Sequence, residues 1–191
     1  MGANNHDREL VRRAQRGDKA AFDALVIKYQ YKVINLVRRF VQDEDEAQDV
    51  AQEAFIKAYR GLANFRGDSA FYTWLYQIVV NSAKNHIVSK RRKTPTYTVD
   101  VEDAERMESA TLMKEQDTPE RNLLTREIEN TVWQVIQGLH DDLRTAITLR
   151  EIEGMSYDEI ASVMQCPVGT VRSRIFRARA AIDKCLKPLL Y

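Results

Sequence analysis

The 191-residue chain has few cysteines, prolines or glycines: two cysteines, four prolines and seven glycines. Scarce glycine and proline argue against collagen-like and low-complexity proteins and suit a helical protein. The two cysteines, Cys166 and Cys185, exclude a disulfide-rich fold, and the charged residues 1–16 include no apolar segment typical of a secretion signal. We therefore expect a cytoplasmic protein.

Long apolar runs and catalytic groupings are also missing. No stretch approaches the roughly 18 to 20 uninterrupted apolar residues that a membrane span needs. The histidines (His6, His86 and His140) are scattered, the two cysteines lack metal-ligand spacing, and there is no glycine-rich phosphate loop. We therefore expect no enzymatic activity, metal, cofactor or small-molecule substrate.

Charge is distributed unevenly, although the formal net charge is only +1. Residues 1–92 contain 16 basic and 11 acidic side chains, residues 93–120 contain 3 and 8, and residues 121–191 contain 10 and 9. Five basic residues and no acid lie in residues 76–93, and six basic residues and one acid lie in residues 165–191. Two separate basic stretches suggest two phosphate-facing surfaces. Charged runs are usually solvated faces, however, so charge alone leaves nucleic-acid binding undecided.

Three amphipathic helices are predicted in the first half, over residues 18–41, 43–62 and about 71–90. The second begins with four acids and has Lys57 and Arg60 in its last turn, an arrangement that complements the helix dipole. Its inward stripe consists of small residues suited to close packing: Ala47, Val50, Ala51, Ala54, Phe55 and Ala58.

Residues 93–120 lose this periodicity, accumulate acids and contain Pro95 and Pro119 near their ends. A segment of this length without a hydrophobic pattern is typical of a linker. The fold class expected is therefore all-α, with two small helical domains at residues 1–92 and 121–191 joined by a flexible acidic linker at residues 93–120.

The second domain contains a predicted helix-turn-helix. Helices over residues 123–137 and 141–151 precede Gly154, and the sequence Ser156-Tyr157-Asp158-Glu159 is a capping box for a short helix that ends near Met164. Pro167 suits the first turn of a final helix that runs to about Lys184. Two helices joined by so short a turn are typical of duplex-DNA-binding domains.

The final helix has an apolar face and an arginine-rich face. Val171, Ile175, Ala178 and Ile182 recur at helical spacing and should face the core. The remaining residues should lie largely outside, where arginine can bind guanine and hydroxyls can bind phosphates or bases: Thr170, Arg172, Ser173, Arg174, Phe176, Arg177 and Arg179. Arginines on a surface helix are common without DNA, but the capped helix and tight turn before this one favour DNA binding. Arg150, just before the pair, could bind phosphate or simply complement a helix C-terminus.

Aromatic residues are concentrated before the first basic stretch, five of them in the twelve residues 65–76. Exposed rings beside cations bind single-stranded nucleic acid, because rings stack on bases and cations follow phosphates. Some of these rings fill the core instead, and Trp74 is expected to do so. Asn81, Lys84 and Asn85 share a face of the following helix and could bind an unstacked base or a phosphate.

Two other functions remain open at this point. A duplex-DNA regulator would explain the helix-turn-helix and would bind an operator without a polymerase, but it leaves the aromatic segment and the acidic helix without a role. A nuclease would need a metal or a catalytic cluster, and no such cluster can be assembled from the sequence.

Four motifs together resemble the extracytoplasmic-function (ECF) sigma factors of bacterial RNA polymerase, and most of all the sigma-E group of envelope-stress factors. They are DVAQEAF at residues 49–55, FRGDSAFYTWL at residues 65–75, SYDEIA at residues 156–161 and PVGTVRSR at residues 167–174. The resemblance covers both domains in order, with the linker between them.

The resemblance implies that the first domain is a sigma-2 domain, which binds core RNA polymerase and melts the minus-10 element. The second would be a sigma-4 domain, which recognises the minus-35 element. The chain would thus direct promoter-specific initiation in an envelope stress response, and its partners would be core polymerase, promoter DNA and an anti-sigma factor, often one anchored in the membrane.

Site residues are expected on three surfaces. The clamp helices of core polymerase would contact Asp49, Gln52 and Glu53 on the outer face of the second helix. The melted minus-10 strand, with one base flipped into the loop at residues 65–71, would contact Phe65, Arg66, Ser69, Phe71, Tyr72, Asn81, Lys84 and Asn85. The minus-35 duplex would contact Arg150, Thr170, Arg172, Ser173, Phe176 and Arg177.

Three positions depart from the pattern of the family. Gln77 stands where relatives commonly have arginine, which puts one phosphate contact in doubt. His140 stands where they often have proline. Residues 90–93 (Lys-Arg-Arg-Lys) are unusually basic and could compensate for the charge missing at Gln77.

Overall fold

The computed structural model describes residues 2–93 and 119–190, and every regular element within those two ranges is helical. The all-α prediction is confirmed. Most of the linker predicted at residues 93–120 lies outside the described residues. The two ranges are called the N-terminal bundle and the C-terminal domain below.

The N-terminal bundle opens with a helix that the sequence did not reveal, α1 (Gly2–Gln15). Among the residues of α1 whose burial is described, three apolar ones are buried in the core, and most of their neighbours are charged or polar: Leu10, Val11 and Ala14. A buried carboxylate adds a polar anchor, because Asp7 accepts hydrogen bonds from Tyr29 (2.6 Å) and Lys28 (2.5 Å) of the next helix.

The other long helices of the bundle agree with the predicted spans. They are α2 (Lys19–Arg38), α3 (Glu44–Gly61) and α4 (Phe71–Lys93), with a 3-10 turn at Leu62–Asn64. Asp18 and Asp43 cap α2 and α3 by accepting hydrogen bonds from backbone amides three residues on. The inward face of α3 is buried at Ala47, Val50, Ala51, Ala54 and Ala58, and these small side chains let α2 and α4 approach closely. Phe55, predicted on the same stripe, is half-buried.

The C-terminal domain consists of α5 (Pro119–Gly138), α6 (Asp141–Ile147), a π-helical turn (Thr148–Ile152), α7 (Tyr157–Met164) and α8 (Val168–Leu190). The helix expected over residues 141–151 is thus wound more widely in its second half. The predicted core face of α8 is confirmed, since Val171, Ile175 and Ala178 are buried and Ile182 is half-buried.

Helices α7 and α8 begin with the predicted capping groups. Ser156 Oγ accepts from the Glu159 amide while the Glu159 carboxylate accepts from the Ser156 amide, so both halves of the capping box are formed. Gln165 ends α7 in the left-handed region with φ of 50°. Pro167 directly precedes α8, where its missing N–H costs no helical hydrogen bond.

We expect Ile175→Ala to destabilise the C-terminal domain by about 2 to 5 kcal/mol, because it removes a side chain that is 2% exposed from the middle of the core. Arg177→Ala, an exposed change two residues further along α8, should cost less than about 0.5 kcal/mol. Denaturant unfolding followed by circular dichroism measures both. Equal losses for the two variants would contradict the assigned face of α8.

Candidate nucleic-acid and polymerase interfaces

The outer face of α3 presents the residues expected to bind core polymerase. Asp49, Gln52 and Glu53 are all exposed, on the side of the helix opposite its buried alanines. Glu53 forms an exposed ion pair with Lys57 one turn later, at 2.8 Å. The face is therefore polar and open.

The loop between α3 and α4 is built on an aromatic cluster. The ring centroids of Phe65 and Trp74 lie 4.9 Å apart, and Phe71 lies 5.8 Å from Trp74. Trp74 also covers Gly61, where a Cβ would come within 3.3 Å of its ring. The positive φ of Gly67, 79°, turns the chain between the two phenylalanines. This loop, residues 65–70 with the first residue of α4, is called the capture loop below.

The predicted DNA-binding residues of the capture loop differ in exposure. Arg66 is exposed, and Phe65 and Ser69 are half-buried, so all three reach the surface. Phe71 is only 4% exposed and packs against Tyr29 as well, at 5.7 Å. Its ring belongs to the core, where it supports the loop from below rather than offering a free face for stacking.

The capture loop is also hydrogen-bonded to α1, a contact that no sequence pattern predicts. Gln15 Nε2 donates hydrogen bonds to the carbonyl oxygens of Leu62 (2.9 Å) and Phe65 (2.8 Å). A pocket between α1 and the loop is lined by both elements, including Arg8, Arg12, Gln15, Arg66, Ser69 and Phe71.

Two residues of α4 that are expected to bind the minus-10 strand, Tyr72 and Lys84, contact acids of the C-terminal domain. The Tyr72 hydroxyl donates to Glu159, whose other carboxylate oxygen completes the capping box with Ser156. One turn later the Tyr76 hydroxyl donates to Glu153 at 2.8 Å. Burial and the neighbouring Glu153 carboxylate raise the pKa of Tyr76, which keeps it a neutral donor.

An ion pair extends this contact along α4. Lys84 Nζ lies 2.9 Å from one carboxylate oxygen of Asp142, and Arg174 of α8 lies 2.5 Å from the other. These partners, Lys84 first, hold the pKa of Asp142 below its ordinary value. The stabilisation is therefore fully present above the ordinary carboxylate range and is lost as the pH falls through the lowered pKa of Asp142.

The N-terminal bundle and the C-terminal domain also meet where Arg39, the residue after α2, contacts α5. The contacts between the two domains together are called the domain contact below. The Arg39 guanidinium lies 4.2 Å from the centre of the Trp133 ring, a cation–π contact. Gln137 Nε2 is 3.5 Å from the Arg39 carbonyl oxygen. Burial lowers the pKa of Arg39, while the charge of Glu153 opposes that shift.

The remaining polar residues of α4 differ in availability. Asn81 and Asn85 are exposed, and Gln77 is half-buried. Lys90, the first residue of the basic cluster, pairs with Glu46 of α3 at 2.7 Å. Glu46 also contacts His86. Hydrogen bonds from Lys90 and then from His86 lower the pKa of Glu46. Part of the added positive charge at residues 90–93 is thus already balanced inside the bundle.

The outer face of α8 is exposed where minus-35 contacts are expected. Arg172, Ser173 and Arg177 are exposed, Thr170 is half-buried at the start of the helix, and Phe176 is 74% exposed, unusual for a large apolar ring. The prediction that Arg174 lies largely outside is wrong. Its guanidinium turns inward to Asp142 and to the Cys166 sulfur (3.3 Å), because α6 provides a carboxylate beside the turn.

Arg150 and His140 have clear structural contacts. Arg150 donates to the Met155 carbonyl oxygen at 2.8 Å, and its guanidinium lies 4.9 Å from the centre of the Tyr157 ring. It therefore braces the turn that leads into α7. His140 precedes α6 as its N-cap, where its side chain accepts from the Asp142 amide. A histidine can thus fulfil a capping role at this position.

Within residues 2–93 and 119–190, no group of three or more histidine, cysteine, aspartate or glutamate side chains could hold a metal ion. No helix in the described part of the chain is long and apolar enough to cross a membrane.

Two family models match the chain, one for each domain. The model of sigma-70 region 2 matches residues 25–93, and the model of sigma-70 region 4 matches residues 129–182. The first range includes α3, the capture loop and α4, and the second includes the helix-turn-helix.

Curated relatives are similar over the whole length. The RNA polymerase sigma-H factor of Pseudomonas aeruginosa is 64% identical over 190 residues, which cover 100% of this chain and 98% of the relative. The ECF RNA polymerase sigma-E factor of Escherichia coli K12 is 56% identical over 184 residues, which cover 96% of each.

Solved structures share the arrangement of helices. CnrH, in complex with the cytosolic domain of CnrY, has a TM-score of 0.68 and 27% identity, covering 96% of this chain and 98% of that one. The sigma factor RpoE of Bartonella quintana, in complex with the anti-sigma factor NepR, has a TM-score of 0.64 and 21% identity, covering 87% and 96%.

The two family models and the relatives define a two-domain transcription initiation factor of the sigma-70 type, a class of protein that is not enzymatic. Full-length identity to sigma-H and sigma-E factors is more specific, and the chain belongs to the ECF sigma factors.

We expect loss of the domain contact to expand the molecule. Asp142→Asn combined with Glu153→Gln replaces the charged acceptors of Lys84 and Tyr76 with neutral amides, which weakens both contacts, so the radius of gyration at neutral pH should rise. Small-angle X-ray scattering measures it. The control, Asp158→Asn with Glu151→Gln, makes the same change of charge in the same domain at exposed acids. An expansion of the control, or none in the test variant, would contradict this assignment.

Proposed function

We propose that this ECF sigma factor binds core RNA polymerase and directs it to promoters of an envelope stress response. Its site of action would be the cytoplasm, where RNA polymerase works. The observation that carries the proposal is the full-length identity to sigma-H and sigma-E factors, together with three separate surfaces of the required chemistry.

The polymerase-binding surface is the outer face of α3. Asp49, Gln52 and Glu53 form an open polar face on a helix held rigidly by its alanine side. A basic or mixed polar partner surface suits such a face, because exposed carboxylates and an amide offer acceptors at fixed spacing. In the proposal these three residues contact the clamp helices of the largest polymerase subunit.

The minus-10 surface comprises the capture loop and the exposed side of α4. An unstacked base would enter beside Phe65, Arg66 and Ser69, while Asn81 and Asn85 would contact the strand further along. Tyr72 and Lys84 would join after leaving their acidic partners in the C-terminal domain. Melting needs no bond chemistry, because trapping the flipped base offsets the few kcal/mol lost on unstacking it.

The minus-35 surface is the exposed face of α8. Arg172, Ser173 and Arg177 lie near the N-terminal half of the helix, which enters the major groove first in helix-turn-helix proteins. The exposed Phe176 ring suits apolar contact with a thymine methyl group. Thr170 would contact the backbone at the helix start, and Arg150 would contribute a phosphate contact beside its structural hydrogen bond.

An anti-sigma factor is the expected regulatory partner. The related structures support this partner class, since RpoE is complexed with the anti-sigma factor NepR and CnrH with the cytosolic domain of CnrY. For this chain the partner would cover the surfaces that polymerase and DNA need, and a membrane-anchored one would couple release to events outside the cytoplasm.

The triple variant Asp49→Ala, Gln52→Ala, Glu53→Ala should lose binding to core polymerase and run-off transcription, because it removes the acceptors of the outer α3 face. Pull-down on E. coli core enzyme and run-off from a promoter transcribed by the E. coli sigma-E holoenzyme measure the two activities. A matched control, Glu9→Ala, Asp23→Ala, Asn35→Ala, removes two acids and an amide at exposed positions elsewhere in the bundle. If the wild type ignores core polymerase but retards duplex DNA alone, the proposal fails.

Arg177→Ala should weaken recognition of one minus-35 position by about 1 to 3 kcal/mol if this arginine binds a base. Competition between promoters with single substitutions in the minus-35 element, measured with the holoenzyme, identifies that position. Arg179→Ala is the comparison, because Arg179 is paired with Glu151 at 2.6 Å. A uniform loss over all positions would instead assign Arg177 to a phosphate.

A further inference from the structure

Helix α1 lies outside the segment matched by the region 2 family model, which begins at residue 25. It nevertheless forms one wall of the pocket at the capture loop. The pocket volume is about 270 Å³, close to the lower end, roughly 300 Å³, of pockets that hold small ligands. A single nucleotide fits this scale better than a larger ligand.

The mouth of this pocket is cationic. Arg8 and Arg12 are one turn apart on α1, both are exposed, and Arg66 contributes a third guanidinium from the loop. Among the described residues that line the pocket, Asp7 is the one acid, and Lys28 and Tyr29 already bind its carboxylate. Three arginines around a recess of this size favour an anionic ligand, and a phosphodiester is the anion that accompanies an unstacked base.

The inner wall of the pocket holds the loop in position. Gln15 donates from one amide nitrogen to two carbonyl oxygens, of Leu62 and Phe65, and so fixes the chain at the point where the capture loop begins. A glutamate of the same shape has no N–H to donate and would place a negative charge beside two carbonyl dipoles.

We propose that α1 is part of the single-strand DNA site. Arg8 and Arg12 bind phosphates of the melted strand next to the captured base, and Gln15 is a positioning residue for the capture loop. The proposal rests on the proposed function of the loop and adds to it a basic wall from a helix that the region 2 match does not include.

The phosphate contacts are tested with the double variant Arg8→Gln, Arg12→Gln in holoenzyme. The probe is the promoter used for run-off transcription, with its minus-10 region premelted by mismatches. Each single-strand phosphate contact contributes about 0.7 to the slope of log K against log salt, so loss of two should reduce the slope by about 1.4. The matched control, Arg13→Gln, Lys19→Gln, removes two neighbouring charges that do not line the pocket, and it should leave the slope unchanged. Equal slopes for the double variant and its control overturn the phosphate contacts.

The positioning role is tested with Gln15→Glu in the same holoenzyme. Promoters with each base at the captured position give the discrimination ratio, and 2-aminopurine at that position reports base capture. We expect at least a fivefold loss of discrimination with unchanged affinity for core polymerase, which a general loss of stability would not produce. Wild-type discrimination in this variant overturns the positioning role.

The experiments distinguish failure of the proposed function from failure of the role inferred for α1. A wild-type holoenzyme that fails to open the promoter overturns the proposed function and this inference with it. Normal opening by the wild type, with wild-type salt slope and discrimination in both variants, overturns this inference alone.

Discussion

The close packing of α3 between α2 and α4 is the constraint on which the N-terminal bundle depends. The alanines on the inner face of α3 let its backbone approach those of α2 and α4. The inner face of the helix is therefore closely packed while its outer face stays in solvent. The same packing fixes the start of the capture loop, because Gly61 at the end of α3 lies beneath the Trp74 ring of α4. One buried face thus supports both an exposed protein-binding surface and the loop proposed to hold a base.

The two domains meet through polar groups that have a second use in the proposed function. Carboxylates of the C-terminal domain satisfy Tyr72 and Lys84 in the way that DNA phosphates would, as acceptors beside a cation and a hydroxyl. Such contacts are weak individually, because Asp142 is about one-third exposed and water screens its pairs. In the proposed function, a contact of this kind would keep Tyr72 and Lys84 paired until the phosphates of DNA replace the carboxylates.

Much of the fold could be predicted from the sequence, because the helices of both domains have clear periodicity and the capping box has one local explanation. Helix α1 could not, since its anchors include the buried Asp7 and its pattern is dominated by charge. The inward turn of Arg174 was equally hidden, because it depends on Asp142, 32 residues away in the chain. Sequence motifs indicated which surfaces exist, whereas side chains that brace them from distant elements, such as Gln15, emerged only from the packing.

Several predicted site residues make a contact that stabilises the fold and still reach the surface. One side chain can do both. Phe71 lies in the core yet also lines the pocket, so it can set the depth of the recess without stacking on a base. Arg150 has one guanidinium nitrogen on the Met155 carbonyl and still presents further N–H donors from its planar fork. A side chain held by one such bond loses little further conformational entropy on binding DNA, so bracing the fold and binding a ligand reinforce each other.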